Sequence, residues 1–254
     1  MKRALFLAYG IAAHALFLVV FLAMAAFVGN LGGPWTIDGG GGGLSWTAAV
    51  ANVGLLLLFA VPHSVMARPA FKRWWTRFVP EEIERSTYVL VACVCVVALM
   101  AFWTPMGPLV WSVESSLGRG VLWGLFAFGW LMVPLVSLLI NHFDLFGTRQ
   151  VWLAWKRQAY APLAFRTPGV YRLVRHPLYV GWTVAFWATP DMTVGHLLFA
   201  LVLTGYMVAV IPLEERDLVD ALGDEYRDYR RDVPAMVPGF KARARVAATA
   251  RVEA

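Results

Sequence analysis

The sequence predicts an all-α fold: a polytopic transmembrane helical bundle that closes with a helical hairpin and a charged, cytoplasmic amphipathic helix. Three observations predict it. Hydrophobic residues fill 59% of the 254 positions and charged residues only 15%, against about 25% charged in a soluble domain. So much apolar surface exceeds what a core of this size can hide, and lipid must solvate part of it. The apolar residues also gather into six runs, 5–28, 46–65, 87–103, 120–140, 178–189 and 194–213, and a membrane-spanning helix needs about 20 such residues. Finally, Lys and Arg alternate: they fall at 2–3, 68–85, 149–175 and 216–251, with Arg119 as the exception, and the loops 30–45 and 104–118 carry none.

The first run follows Met1-Lys2-Arg3 and is too long for the 7–15 residues of a signal-peptide core, so it is read as a mature first helix. Gly39 to Gly43 are consecutive glycines and predict a flexible loop. The second run is followed by a basic, Trp-containing stretch with a short interfacial helix around 69–78. The third run holds both cysteines, Cys93 and Cys95. At i and i+2 they point to different helix faces, so they read as packing residues rather than a bridge or a metal pair. The proline-bearing segment 104–118 reads as a loop before the fourth run. Residues 178–213 read as a hairpin whose first arm barely crosses and whose turn is 190–193. A helix over 214–231 ends near Pro234, and the basic tail 239–254 reads as disordered. Residues 1–238 form one domain. The alternation of charge places the N-terminus in the cytoplasm. The basic C-terminal third belongs there too, which requires an even number of crossings. The net charge of +6 therefore serves orientation and anionic headgroups, not nucleic acid. The oligomeric state is not legible.

Four polar clusters interrupt this pattern. Arg175, His176, Pro177 and Tyr179 open an apolar helix. Pro suits the first helical position, and the free N–H groups there suit an anion. The plainer reading is a boundary anchor, with Arg snorkelling and Tyr in the aromatic belt. Glu214 and Glu215 end a membrane helix, where acidic groups are costly and paired or functional. The hairpin brings them beside Arg175 and His176, so the fold itself joins both signs. A structural salt bridge would suffice; a zwitterionic ligand, such as a cofactor bearing an amino acid, would use both. Asn141, His142, Asp144 and Arg149 share one boundary, where His142 could act as a base with Asp144 orienting it or raising its pKa; interfacial capping is the alternative. His63, next to Pro62, is a second candidate or a packing histidine. His14 has less claim, and His196 reads as interfacial. Tyr226 and Tyr229 share a helix face. No tight ligand spacing suggests a metal.

The ordered motifs RHPLY (175–179), EERDL (214–218), GDEYRDY (223–229) and VP (233–234) resemble the isoprenylcysteine carboxyl methyltransferase superfamily, which includes NnrU-like proteins. The resemblance implies S-adenosylmethionine held on the cytoplasmic side by the hairpin and the following helix. Arg175, His176, Tyr179, Glu214 and Glu215 would form the cradle, Pro177 and Gly181 belong to the same cofactor-binding run, and Tyr226 and Tyr229 match the aromatic positions of the last helix. VGN (28–30), HSVMARP (63–69), FKRWWTR (71–77), ERSTY (84–88), NHFDLFGTRQV (141–151) and FRTPGVYRLVRHP (165–177) are similar to one branch, the methanethiol S-methyltransferases.

That branch implies methylation of methanethiol to dimethyl sulfide in a bacterial cytoplasmic (inner) membrane. An aliphatic thiol is mostly protonated at neutral pH. The expectation is that His142, oriented by Asp144, takes the proton, that Asn141 and Arg149 shape the site, and that His63 is the alternative base. A small apolar thiol can arrive through the lipid bilayer. The alternatives are another thiol, lipid or isoprenylated-cysteine substrate, a non-catalytic accessory or transport protein, and a haem protein ligated by His63 with His142 or His14.

Overall fold

The structure is a computed structural model that describes residues 1–239; the tail expected to be disordered falls, from residue 240 onward, outside the described residues. The chain runs α1 (Lys2–Val28), α2 (Trp46–Ala67), α3 (Pro69–Trp75), α4 (Glu81–Phe102), β1 (Leu109–Ser112), α5 (Ser116–Ile140), α6 (His142–Leu145), α7 (Thr148–Lys156), α8 (Pro177–Trp187), β2 (Asp191–Thr193), α9 (Val194–Leu222) and α10 (Asp224–Asp232). Among the described residues five helices, α1, α2, α4, α5 and α9, are long and apolar enough to cross a membrane, and the chain is an integral membrane protein built as a helical bundle.

The elements differ from expectation where a local signal outweighs hydropathy. Helix α4 starts at Glu81, six residues before the apolar run, with Glu81, Glu82 and Glu84 in its first turn, where carboxylates meet the positive end of the helix dipole. Helix α8 has 11 residues, about 16 Å, too short to cross by itself. Its far end still reaches a small two-stranded sheet: β2 pairs antiparallel with β1, and Val113 N donates to Pro190 O at 3.0 Å. That sheet lies in what hydropathy reads as loops. It also accounts for Arg119, the one basic residue out of pattern, whose guanidinium grips Asp191 at 2.8 Å and 3.0 Å. The glycine run is tied down as well, since Gly107 N donates to Gly42 O at 2.7 Å. Nearby, His196 is fully buried rather than interfacial. It bonds Phe186 O at 3.0 Å and faces Asp38 at 3.7 Å.

Helix α9 continues past residue 213 to Leu222 and stops only at Gly223, whose φ of 64° lies in the left-handed region. Glu214 and Glu215 are therefore interior to a helix, not at its end, and the expected helix 214–231 is split between the last turns of α9 and α10. Helix α1 packs on α4 and α7, α2 on α4 and α9, and α8 on α5 and α9. The core joins Phe27, Leu56, Leu99, Trp130, Phe186 and Phe199. A second cluster around Val20, Met66, Tyr88 and Cys93 lies toward the end that carries the basic residues. Helix α1 meets α5 and α8 through rings, Phe21 lying 5.2 Å from Trp130 and 5.8 Å from Trp182.

Candidate active site

The hairpin brings Arg175, His176, Tyr179, Glu214 and Glu215 together. Arg175 sits just before α8, and its Nε and Nη2 both bond Glu215 Oε1, at 2.7 Å and 2.6 Å. Its Nη1 donates to the carbonyls of Arg230, at 3.0 Å, and Val233. The strap after α10 is laced to the same place, Arg175 N bonding Pro234 O and His176 N bonding Ala235 O, each at 2.9 Å. Arg175 and Glu215 are both more than nine-tenths buried, and such a pair persists only when its hydrogen-bonding capacity is met. His176 Nε2 lies 3.1 Å from Glu215 Oε1 and Nδ1 3.8 Å from Glu214 Oε2. Its ring stacks on Tyr179 at 5.4 Å, and the Tyr179 hydroxyl donates to Glu214 Oε1 at 2.6 Å. Glu214, with 32% of its side chain exposed, is the carboxylate with room for a further partner.

The other residues of this run do different work. Pro177 is buried at the first position of α8. Gly181 is a packing residue: a Cβ there would stand 3.1 Å from Met132 Cβ and 3.2 Å from Gly129 O, against α5. Tyr226 and Tyr229 form a ring cluster with Phe165 beneath Arg175, and the Tyr229 hydroxyl donates to Tyr171 O at 2.6 Å. Burial pushes both phenols up to about 12, so they are hydrogen-bonding, uncharged covers.

Two rungs clamp α2 to α9. Ser64 and Tyr206 hydroxyls meet at 2.8 Å, and Arg68 Nη1 bonds Asp217 Oδ2 at 2.8 Å. Tyr206, Glu214 and Asp217 are spaced to share one helix face, which sets Glu214 between the rungs. The Tyr88 hydroxyl lies 3.0 Å from the His63 ring nitrogens, with the Arg85 guanidinium 4.8 Å above the Tyr88 ring. Sequence reasoning did not single out Tyr88, Tyr206, Arg68 or Asp217; within apolar runs a lone tyrosine looks like packing, and only projection of α9 on a helical wheel aligns Tyr206 with Glu214.

The third cluster departs from expectation. Asn141 adopts the left-handed conformation (φ 105°) and its Oδ1 accepts from Asp144 N at 3.1 Å. This turn directs the Asp144 carboxylate away from His142 toward α7, where it receives Arg149 Nη1 at 2.8 Å, Gln150 Nε2 at 3.4 Å and the Tyr160 hydroxyl at 3.3 Å. Asp144 does not orient His142. The imidazole instead bonds Ser137 Oγ through Nδ1 at 2.7 Å and His14 Nε2 through Nε2 at 3.0 Å. Burial, and then the charge of His14, hold its pKa below the ordinary value, the reverse of a carboxylate-raised histidine. A cavity of about 1030 Å³ opens between α3, α4 and α7, lined in part by Lys72, Glu84, Arg85, Asn141, Asp144 and Tyr160. Burial, then the nearby Arg85 charge, lowers the Lys72 ammonium.

A membrane bundle with buried charge pairs at one end and imidazoles turned inward defines a polytopic membrane protein with an enzyme-like polar interior. No protein-family model matches the chain, and no solved structure matches it at a significant level. It is 51% identical over 238 residues to a methanethiol S-methyltransferase of Mycobacterium tuberculosis, covering 94% of this chain and 98% of that one. It is 45% identical to a methanethiol S-methyltransferase of Crocosphaera subtropica, over 94% and 93% of the two chains. The chain belongs to the methanethiol S-methyltransferase family. It is also 32% identical over 218 residues to nurim of Xenopus laevis, covering 78% of this chain and 75% of that one.

Proposed function

We propose that this protein transfers a methyl group from S-adenosylmethionine to methanethiol, forming dimethyl sulfide at the cytoplasmic side of a bacterial inner membrane, with both termini in the cytoplasm. The family relation supports the substrate, and one observation supports the donor: Glu214 is held by Tyr179 and His176 with one side open, at the mouth of the hairpin. When bound, S-adenosylmethionine supplies a sulfonium methyl to a nucleophile. The residues fit the ammonium of its amino-acid end. Glu214 offers a carboxylate to the ammonium; the N–H groups expected to be free at the start of α8 are instead taken, His176 N by Ala235 O and Tyr179 N and Val180 N by His176 O, so they do not hold the carboxylate. Arg175 is engaged by Glu215 and by the carbonyls of Arg230 and Val233, and Glu215 by Arg175 and His176, so they brace the cradle, with Tyr226 and Tyr229 closing it from below.

Methyl transfer is an in-line displacement, and alignment of two sulfurs supplies much of the rate. Rings of Phe17, Phe21, Trp130, Phe146 and Trp182 wall the interior between the imidazoles and α8, which suits a small apolar thiol and excludes water. The thiol proton goes to the imidazole group around His142. His63 is the second reading, favoured by its bond to the Tyr88 hydroxyl at 3.0 Å. Purified protein with and without S-adenosylmethionine, assayed for dimethyl sulfide in the headspace, tests the reading. Cofactor-dependent product that is lost in Glu214→Ala supports it. Comparing His142→Ala with His63→Ala separates the two bases, since general-base removal costs about 100-fold or more.

A further inference from the structure

We infer that the atom that takes the thiol proton is Nδ1 of His14, on the first helix, with His142 as its relay; the inference rests on the thiol-methylating reading above. The argument is a count of protons. Ser137 has one hydroxyl proton, and its Oγ lies 2.8 Å from Pro134 O, which can only accept, so the proton points there. With the hydroxyl proton on Pro134 O, His142 Nδ1, 2.7 Å from the same Oγ, is the donor to it. A neutral imidazole has a single N–H, which leaves His142 Nε2 bare to accept the Nε2–H of His14 across 3.0 Å. His14 Nδ1 is therefore bare as well. Its neighbour Thr148 Oγ1 also sends its proton to a carbonyl, Phe143 O at 3.0 Å, but stands 3.5 Å from His14 Nδ1 against 2.7 Å between Ser137 Oγ and His142 Nδ1, so the shorter contact keeps the second N–H of the neutral pair on His142. Both nitrogens of His142 are occupied, and the open lone pair of the pair belongs to His14.

The surroundings suit a mobile proton. Phe17 of α1, Phe143 of α6 and Phe146 just after it face the pair with rings, Ser137 of α5 and Thr148 of α7 with hydroxyls. Of the charged groups on the packed elements, Asp144 bonds Arg149 and Arg85 of α4 bonds Leu145 O at 2.7 Å, while Glu84 of α4 is buried with its Oε1 unpartnered among the described residues. Tyr9 of α1 is bonded to Thr87 of α4. His14, Phe17 and Phe21 share one face of α1, and Phe21 touches Trp182, which lies on α8 one turn beyond Tyr179. The same face thus leads from the imidazoles to the cradle.

In the step, the thiol S–H bond breaks and its proton forms an N–H bond at His14 Nδ1. The Nε2 proton of His14 passes to Nε2 of His142, whose cationic ring is braced by Ser137 Oγ. The electron pair stays on the thiol sulfur and forms the new C–S bond as the donor's S–CH₃ bond breaks, leaving its pair on the former sulfonium. The proton returns to water after turnover.

His14→Gln tests this, because the glutamine amide keeps an N–H donor toward His142 but has no basic nitrogen. The variant is expected to keep its fold and its KM for S-adenosylmethionine. Its kcat is expected to fall about 100-fold or more at pH 7, with the residual rate rising with pH as free thiolate replaces the lost base. In ¹⁵N-histidine-labelled wild type, His14 is expected as the Nε2–H tautomer and His142 as the Nδ1–H tautomer. Wild-type rate and pH profile in His14→Gln reduce His14 to a structural residue and overturn the inference alone, as do reversed tautomers. A wild type that makes no dimethyl sulfide overturns the substrate reading, and the proton transfer with it, while the tautomers still judge the pairing.

Discussion

Glu214 and Glu215 are sequence neighbours with separate roles. Glu215 is buried against Arg175, and removing one member of such a pair leaves an unpaired buried charge, which costs about 3–5 kcal/mol. Arg175→Ala is therefore expected to lower the unfolding temperature of the detergent-solubilised protein sharply. Glu214→Gln is expected to leave that temperature nearly unchanged and to weaken S-adenosylmethionine binding, read by calorimetry, at least tenfold. At His142 the sign of the pH dependence follows from its lowered pKa. Above about pH 6.5 folded and unfolded states are both neutral there. As pH falls below that value the unfolded chain takes a proton that the folded one resists, so stability declines. His142→Gln should flatten this acid limb of a stability–pH curve; an unchanged limb would assign it to another group. These residues were unequally legible. Arg175, His176, Glu214 and Glu215 stood out because charge at a membrane boundary is expensive. His14, Tyr88 and Tyr206 did not, because one polar tip inside an apolar run has the same pattern as packing, and their partners lie 25 to 142 residues away.

At the scale of elements, the α5–α8 contact decides where the cradle stands. A Cβ at Gly129 would lie 2.5 Å from Ala185 N and 2.8 Å from Gly181 O, both backbone atoms that cannot yield cheaply. Gly129→Ala is expected to cost about 1–3 kcal/mol, lowering the unfolding temperature, and to impair cofactor binding although it touches no ligand; wild-type values for both would show that the helices can separate freely. The far-end sheet should matter less. The Arg119–Asp191 pair is more than a third exposed, and ion pairs so open to solvent add little to stability. Hydropathy located the long helices but not their ends: Glu81 extends α4 through its dipole, and only Gly223 stops α9. The β1–β2 pairing escaped because its strands are short and α5, α6, α7 and α8 lie between them in the chain.

For the whole molecule, α9 is the shared wall: it packs on α2 through the Ser64 and Arg68 rungs and on α8 through the hairpin, so one helix sets Glu214 against both halves of the bundle. On the proposed reading, the charged end of the cofactor would sit at the basic face of this bundle and a small apolar thiol would reach its aromatic interior through the bilayer. The central claim is most directly tested by headspace detection of dimethyl sulfide from methanethiol, using purified protein with and without S-adenosylmethionine. The account predicts product only when both are present, abolished in Glu214→Ala. Folded protein that binds the cofactor yet releases no dimethyl sulfide, or a Glu214→Ala protein as active as the wild type, would contradict it.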